Sequence, residues 1–351
     1  MKALFRILII TTILTFVFYK YSQNPSAPPP KPDDNATLEE WQEYASEALP
    51  RPAKGVSKLI GETGLTVVSQ YGQPIRKDPS GYNYEWWVYE QAVDTFMMLA
   101  IEDDIVKQVY VAGRSVKTEP FTIGSTLDDV YRTSIIEPEI MLNKEGQLYT
   151  LALTDYDLKH RLLVKFDDIV AQVFVNTKEE VTAVRFYDYD TIIKLQPYEM
   201  AYHEGIVPQQ LTEDKLTDKV SQSLALQLRD ILYVQRYYQA LPRYQDNKML
   251  HDLAENTVIA YLNHQEDETK PMLSLEERAQ VAGIVTSYIN EITTEVTFDA
   301  IETMHRLLND ETAMTTLLNE EHTQYGIACV KASCTQISAR RQEDLQLKML
   351  Q

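Results

Sequence analysis

The stretch DDIVKQVYVAG at 103–113 returns as DDIVAQVFVNT at 167–177, 64 residues further on. Upstream, the Ile-Gly of LIGETGLTVVSQYGQP (59–74) returns in TIGSTLDDVYRTSIIEP (122–138), 63 residues on. Offsets that agree this closely mark an internal duplication. Each copy reads as Ile-Gly, a short helix, a turn ending in proline, and then strands. The strands are carried by β-branched and aromatic runs, YNYEWWVYE and TFMMLAIE in the first copy, QLYTLAL and HRLLVKF in the second. A unit of this size covers its apolar face poorly alone. The copies, about 59–113 and 122–177, are therefore expected to pack as one α+β domain over about 54–205.

A polar linker at 206–222 separates this part from one of different texture. Leu224, Leu228, Ile231, Val234, Tyr238 and Leu241 recur at steps of three or four, which is a helix stripe. Leu250, Leu253, Ala254, Thr257 and Tyr261 give a second, and TFDAIETMHRLLND gives a third with Thr297 as its expected N-cap. QYGIACV and SCTQIS then read as a closing hairpin, so 223–340 is a mostly helical domain with terminal strands, followed by a polar tail at 341–351. The two cysteines, Cys329 and Cys334, face each other if Lys331-Ala332 form a two-residue turn. A disulfide and a pair of small buried residues are both open at this stage.

The N-terminus places Lys2 and Arg6 ahead of an apolar run from Ile7 to Tyr19, with Lys20 closing it. Residues 1–22 read as an uncleaved signal anchor, single-pass, with the N-terminus cytoplasmic and the C-terminal body outside the cell. Cleavage and secretion is the alternative. Residues 23–53 are Pro-rich and then acidic, an extended spacer between membrane and body. The 52 acids against 33 Lys and Arg give a net charge of −19, which argues against a nucleic-acid partner because phosphate neutralisation needs a basic face.

Two stretches carry a resemblance. KGVSKLIGETGLTVVSQYGQPIRKDPSGYNYEWWVYE, continuing to QPYEMAYHEG, is similar to the CAP-associated N-terminal domain of exported Gram-positive proteins, through its Ile-Gly openings, its Tyr-Gly-x-Pro turn and Glu85-Trp86-Trp87-Val88-Tyr89. In that family the domain precedes a CAP domain, of the cysteine-rich secretory protein and antigen 5 superfamily, and the second half here resembles one. Arg278, Ala282 and Gly283 follow its Arg…Ala-Gly element, INEIT lies at its Gly-Glu-Asn-Ile-Ala, and LLNDETAMTTLLNEEHTQYGIACV overlays its histidine-bearing segment. The resemblance implies a C-terminal α-β-α sandwich with a cleft in which two histidines and acidic side chains can bind a divalent ion. His264 falls on the first histidine and Glu291 on the glutamate; the second histidine falls on Ala313, beside Asp310, and the arginine after it on Met314. Leu307 stands for the family tryptophan. One histidine and one glutamate fall short of the three or four protein ligands zinc usually takes, so the site reads as degenerate and no cofactor is expected.

Other residues could rebuild it. His322 stands nine residues past Ala313, although EEHTQYG reads more simply as a solvated loop. His305 and His251 read as packing or surface residues on helices. No nucleophile elbow or phosphate-cradling loop is present, and the Asp103-Asp104 and Asp167-Asp168 pairs read as turn formers. In strand alternation Tyr82, Tyr84 and Trp86 share one face, Trp87 and Tyr89 the other. One face is core; the other is a platform for sugar rings or, by preference, is buried against the CAP-like domain. These readings lead to a membrane-anchored extracellular binding or scaffold protein whose partner is a cell-wall component or extracellular protein. The alternative is a divalent-metal-assisted hydrolase of wall or protein substrates using His264 and Glu291.

Overall fold

The computed structural model describes residues 31–340 except 34, 204–210, 213, 214, 270, 287 and 295–297. The signal anchor, the first part of the spacer, the polar tail and linker residues 206–210, 213 and 214 lie outside the described residues. The described part of the spacer, expected to be extended, contains a helix. This is α1 (Leu38–Ser46), opened by a reciprocal cap between Thr37 and Glu40. Ala45, with Trp41 and Tyr44 beside it, packs this helix on Met141 and Leu148. The acidic residues that suggested a solvated spacer are the first turn of a docked helix, where the macrodipole favours them.

The first repeat copy builds α2 (Gly64–Tyr71), β1 (Arg76–Pro79), β2 (Glu85–Tyr89), β3 (Met97–Glu102) and β4 (Ile105–Val111). The second builds α3 (Leu127–Thr133), β5 (Glu139–Lys144), β6 (Gln147–Ala152), the single turn α4 (Asp157–His160), β7 (Arg161–Lys165) and β8 (Ile169–Val175). Then follow β9 (Val181–Asp188), α5 (Tyr189–Leu195) and β10 (Glu199–His203). Thr63 and Thr126, two residues past the paired Ile-Gly, cap the two equivalent helices. The equivalent hairpins β3–β4 and β7–β8 share one seven-stranded antiparallel sheet of order β1-β2-β3-β4-β9-β8-β7. Asp103 and Asp104 turn the first hairpin at φ +50° and +64°, a conformation aspartate tolerates better than most residues. The copies part company at their other hairpins. β1–β2 extends the main sheet, whereas β5–β6 pairs with β10 in a separate three-stranded sheet.

Alternation along β2 decides how this sheet is covered. Trp87 and Tyr89 enter a core with Val67 of α2, Leu99 and Val109. Tyr84, Trp86 and Val88 enter the opposite core, with Leu224, Leu228 and Ile231 of the C-terminal half. That second face is buried, with Tyr84 and Trp86 each 4% exposed, so it is no open platform.

The C-terminal half runs α6 (Asp218–Tyr238), β11 (Gln245–Asp246), α7 (Lys248–Glu266), α8 (Leu275–Val281), β12 (Ile289–Thr294), α9 (Ala300–Asn309), α10 (Glu311–Leu317), β13 (Gln324–Val330) and β14 (Ser333–Ala339). Helix α6 starts at Asp218 under a Thr217 cap, so it absorbs the end of the polar linker. Asp299 caps α9 by accepting from Ile301 and Glu302 N–H; Thr297, the expected cap, lies outside the described residues. The sheet order is β11-β13-β14-β12. Leu250, Leu253 and Ala254 of α7 and Ala279 of α8 pack with Ile337 on one face. Residues of α6, α9 and α10 pack with Tyr325 and Ile327 on the other, which is the α-β-α sandwich. Gly326 permits the closest approach: a Cβ there would meet the Leu250 carbonyl carbon at 2.2 Å. Lys331 and Ala332 form the hairpin turn, and Cys329 sits opposite Cys334 and is joined to it by a disulfide.

Charges as well as apolar side chains join the halves. Arg185, fully buried on β9, reaches Asp299 at 2.7 Å and Gln108 Oε1 at 2.8 Å. Arg161 reaches Glu302 at 2.7 Å, and Arg76 reaches Asp230 of α6 at 2.6 Å. Burial pushes the Glu302 carboxyl above its usual range, against the pull of Arg161 and Arg185.

Candidate ligand cleft

Strand β12 sets the geometry of the region that resembles a CAP cleft, because successive side chains leave it on opposite faces. Glu291 pairs across from Ile337, on the face covered by α7 and α8. Its two carboxylate oxygens accept from Arg278 of α8 at 2.7 and 2.9 Å, a bidentate ion pair. The same guanidinium also donates to Thr257 Oγ1 of α7. One arginine thus ties two helices to the strand through the glutamate that the family cleft would give to a metal.

The other expected ligands lie elsewhere or are spent. His264 stands in the last turn of α7, seven residues past Thr257 and so about 10 Å along the helix axis. Just beyond the helix end, hydrogen bonds from Thr269 hold the Asp267 carboxyl below its usual range. Ala313 is buried in α10, and Asp310 accepts from its N–H at 2.8 Å as the cap of that helix. Asp310 is thus the structural cap of α10. Met314 turns toward the N-terminal half, where Thr177 Oγ1 donates to its sulfur at 3.8 Å. Leu307 is buried in the core shared by the two halves.

His322 is not in a solvated loop. It is fully buried, its Nε2 accepting from Asn290 Nδ2 at 3.0 Å and its Nδ1 bonded to Ser338 Oγ at 2.9 Å. Asn290 and Ser338 are direct cross-strand partners, and both precede or follow the Glu291–Ile337 pair by one residue. His322 therefore serves the opposite face of the sheet from Glu291 and cannot complete a site with it. Burial depresses its pKa, which favours the neutral imidazole this hydrogen-bond pattern requires. His305 is core: its ring stacks on Phe174 at 4.0 Å between centroids, and Nε2 is 2.9 Å from the Tyr110 hydroxyl. Burial, with Arg185 nearby, pushes its pKa down to about 3. His251 accepts from Ile327 N–H at 3.0 Å and fastens α7 to β13.

The donor set does not fit a divalent ion. Among the described residues no three His, Cys, Asp or Glu side chains gather in a metal-binding arrangement. Glu291 would have to exchange a bidentate arginine for the ion, and the position of the second histidine carries a methyl group. Sequence reasoning placed Arg278 in its family element without its pairing to Glu291, since a contact between α8 and β12 is a tertiary fact. The Arg185 cluster was missed altogether. Its signal was an arginine within the apolar strand VTAVRFYD, where a buried charge demands a counter-charge.

The C-terminal α-β-α sandwich shares a core with the duplicated N-terminal domain. Residues 60–198 match the CAP-associated N-terminal family and form that domain. Over 351 aligned residues the chain is 24% identical to the membrane protein YlbC of Bacillus subtilis (strain 168), covering 97% of this chain and 100% of that one. An extracellular protein containing an SCP domain from Bacillus anthracis superposes with a TM-score of 0.74 at 24% identity, covering 89% of this chain and 99% of its own. A cysteine-rich secretory protein from Staphylococcus aureus gives 0.72 at 20% identity, covering 84% and 95%. The chain thus joins a CAP-associated N-terminal domain to a domain of CAP fold.

Proposed function

We propose that this protein is a membrane-anchored extracellular binding or scaffold protein whose CAP-like metal cleft has become a structural contact. The bidentate Arg278–Glu291 pair carries the reading, because it commits the one retained acid to holding α7, α8 and β12 together. Loss of the second histidine at Ala313 agrees with it. The apolar run behind Lys2 and Arg6, the membrane designation of YlbC and the extracellular designation of the Bacillus anthracis protein support the location. The Cys329–Cys334 disulfide suits an oxidising compartment. An alkaline phosphatase fused after Gln351 tests the topology: it is active if the body is exported. Phosphatase silence combined with fluorescence of a green fluorescent protein fusion at the same point would overturn it. The metal-assisted hydrolase remains the competing reading and stands or falls with zinc binding at His264 and Glu291.

A further inference from the structure

A second cleft, of about 980 Å³, lies in the first repeat copy, at the upper end of the size of small-ligand sites. It opens between the segment entering that copy, helix α2, and the chain that follows β4. Lys54, Lys58 and Lys117 line it, all three exposed, and none forms an ion pair among the described residues. Glu62 is the one acid in the lining. In a chain with 52 acids and 33 basic residues, three unpaired lysines around one cleft oppose the field of the whole molecule. The backbone keeps them together. Val56 N–H donates to Lys117 O at 2.9 Å, and a Cβ on Gly55, at φ +88°, would meet both that carbonyl and the Glu119 carboxylate, just outside the lining, at 2.7 Å. Glycine is what lets the two lysine-bearing segments run this close.

The remaining lining is neutral. Tyr71 presents a half-buried ring, braced by the edge of Tyr89 at 6.2 Å between centroids, and Tyr89 is itself fixed by its hydroxyl to Gly72 O at 3.2 Å. Gln70 and Gln91 add amides that donate and accept. An aromatic face for the C–H surface of a ring, amides for hydroxyls, and lysines for negative groups together match one ligand chemistry. Helix α2 brings no acid in its first turn, whereas its counterpart α3 has Asp128 and Asp129 there.

We infer that this cleft binds an acidic saccharide, with Lys54, Lys58 and Lys117 on its anionic groups and Tyr71 beneath a ring. The inference is independent of the state of the CAP-like cleft. Calorimetry on the full chain in detergent tests it with three probes: tri-galacturonic acid, the neutral chitotriose and inorganic phosphate. Tri-galacturonic acid is expected to bind with Kd below about 1 mM and more tightly than either other probe. The pair Lys58→Ala and Lys117→Ala should weaken it about tenfold or more without moving the unfolding midpoint, since both side chains are exposed. Tyr71→Phe should preserve binding and Tyr71→Ala should not. Failure of tri-galacturonic acid to bind, equal binding of chitotriose or phosphate, or indifference to the lysine pair would each overturn the inference.

Discussion

Replacing Asp299 by asparagine removes one charge from the junction between the halves while leaving an oxygen to cap α9. Asp299 sits 2.7 Å from Arg185, whose side chain is 0% exposed. Breaking a buried pair by removing one partner typically costs about 3–5 kcal/mol. Glu302 stays 3.9 Å from the same guanidinium, so Arg185 is not left alone and the low end, about 3 kcal/mol, is expected. Asp299→Ala also removes the acceptor for Ile301 and Glu302 N–H, adding about 1 kcal/mol. Equilibrium urea unfolding reads both variants with two probes. Tryptophan fluorescence reports the N-terminal half, which holds Trp41, Trp86 and Trp87. Ellipticity at 222 nm is weighted toward α6 and α7, of 21 and 19 residues. Because one core joins the halves, both probes should shift together and by the same amount. An Asp299→Asn variant within about 1 kcal/mol of the parent, or a shift in ellipticity with fluorescence unmoved, would refute the reasoning.

Three further outcomes are expected. His305 has a folded pKa pushed down to about 3, so the unfolded chain takes up a proton below the ordinary 6.5 while the folded one does not; stability should fall by up to about 1.4 kcal/mol per unit as pH drops through that window. His322 acts in the same direction and Glu302 in the opposite one, so His305→Gln should reduce the slope of thermal midpoint against pH without abolishing it. Gly326→Ala should cost more than about 3 kcal/mol or prevent accumulation of folded protein, since its Cβ would meet α7 backbone at 2.2 Å; a midpoint unchanged in a melting curve would contradict that packing. The Cys329–Cys334 disulfide closes only a short loop, and its reduction should lower stability by about 2 kcal/mol, measured by denaturation with and without a phosphine reductant.

The duplication was legible because strands and turns leave local marks: the Ile-Gly recurs 63 residues on and the paired aspartates 64. The route taken by β5–β6 was not, since hairpins with equivalent sequence patterns can extend either sheet and the choice rests on partners distant in the chain. The same limit explains the candidate site. His264, Glu291 and Ala313 could be placed by resemblance, yet whether Glu291 faces an ion or an arginine depends on where α8 docks. His322 was assigned to a solvated loop because its neighbours are polar. Asn290 and Ser338, which satisfy it, lie on other strands. The linker and spacer were overdrawn for a simpler reason: polar first turns of capped helices look like coil until the cap residue is read.

The central claim is that Glu291 belongs to Arg278 and not to a metal. Calorimetric titration of zinc into the full chain in detergent, beside His264→Ala and Glu291→Gln variants, tests it most directly. The same weak response, or none, is expected from all three. Micromolar or tighter binding by the parent that either substitution abolishes would contradict it and restore a working metal cleft.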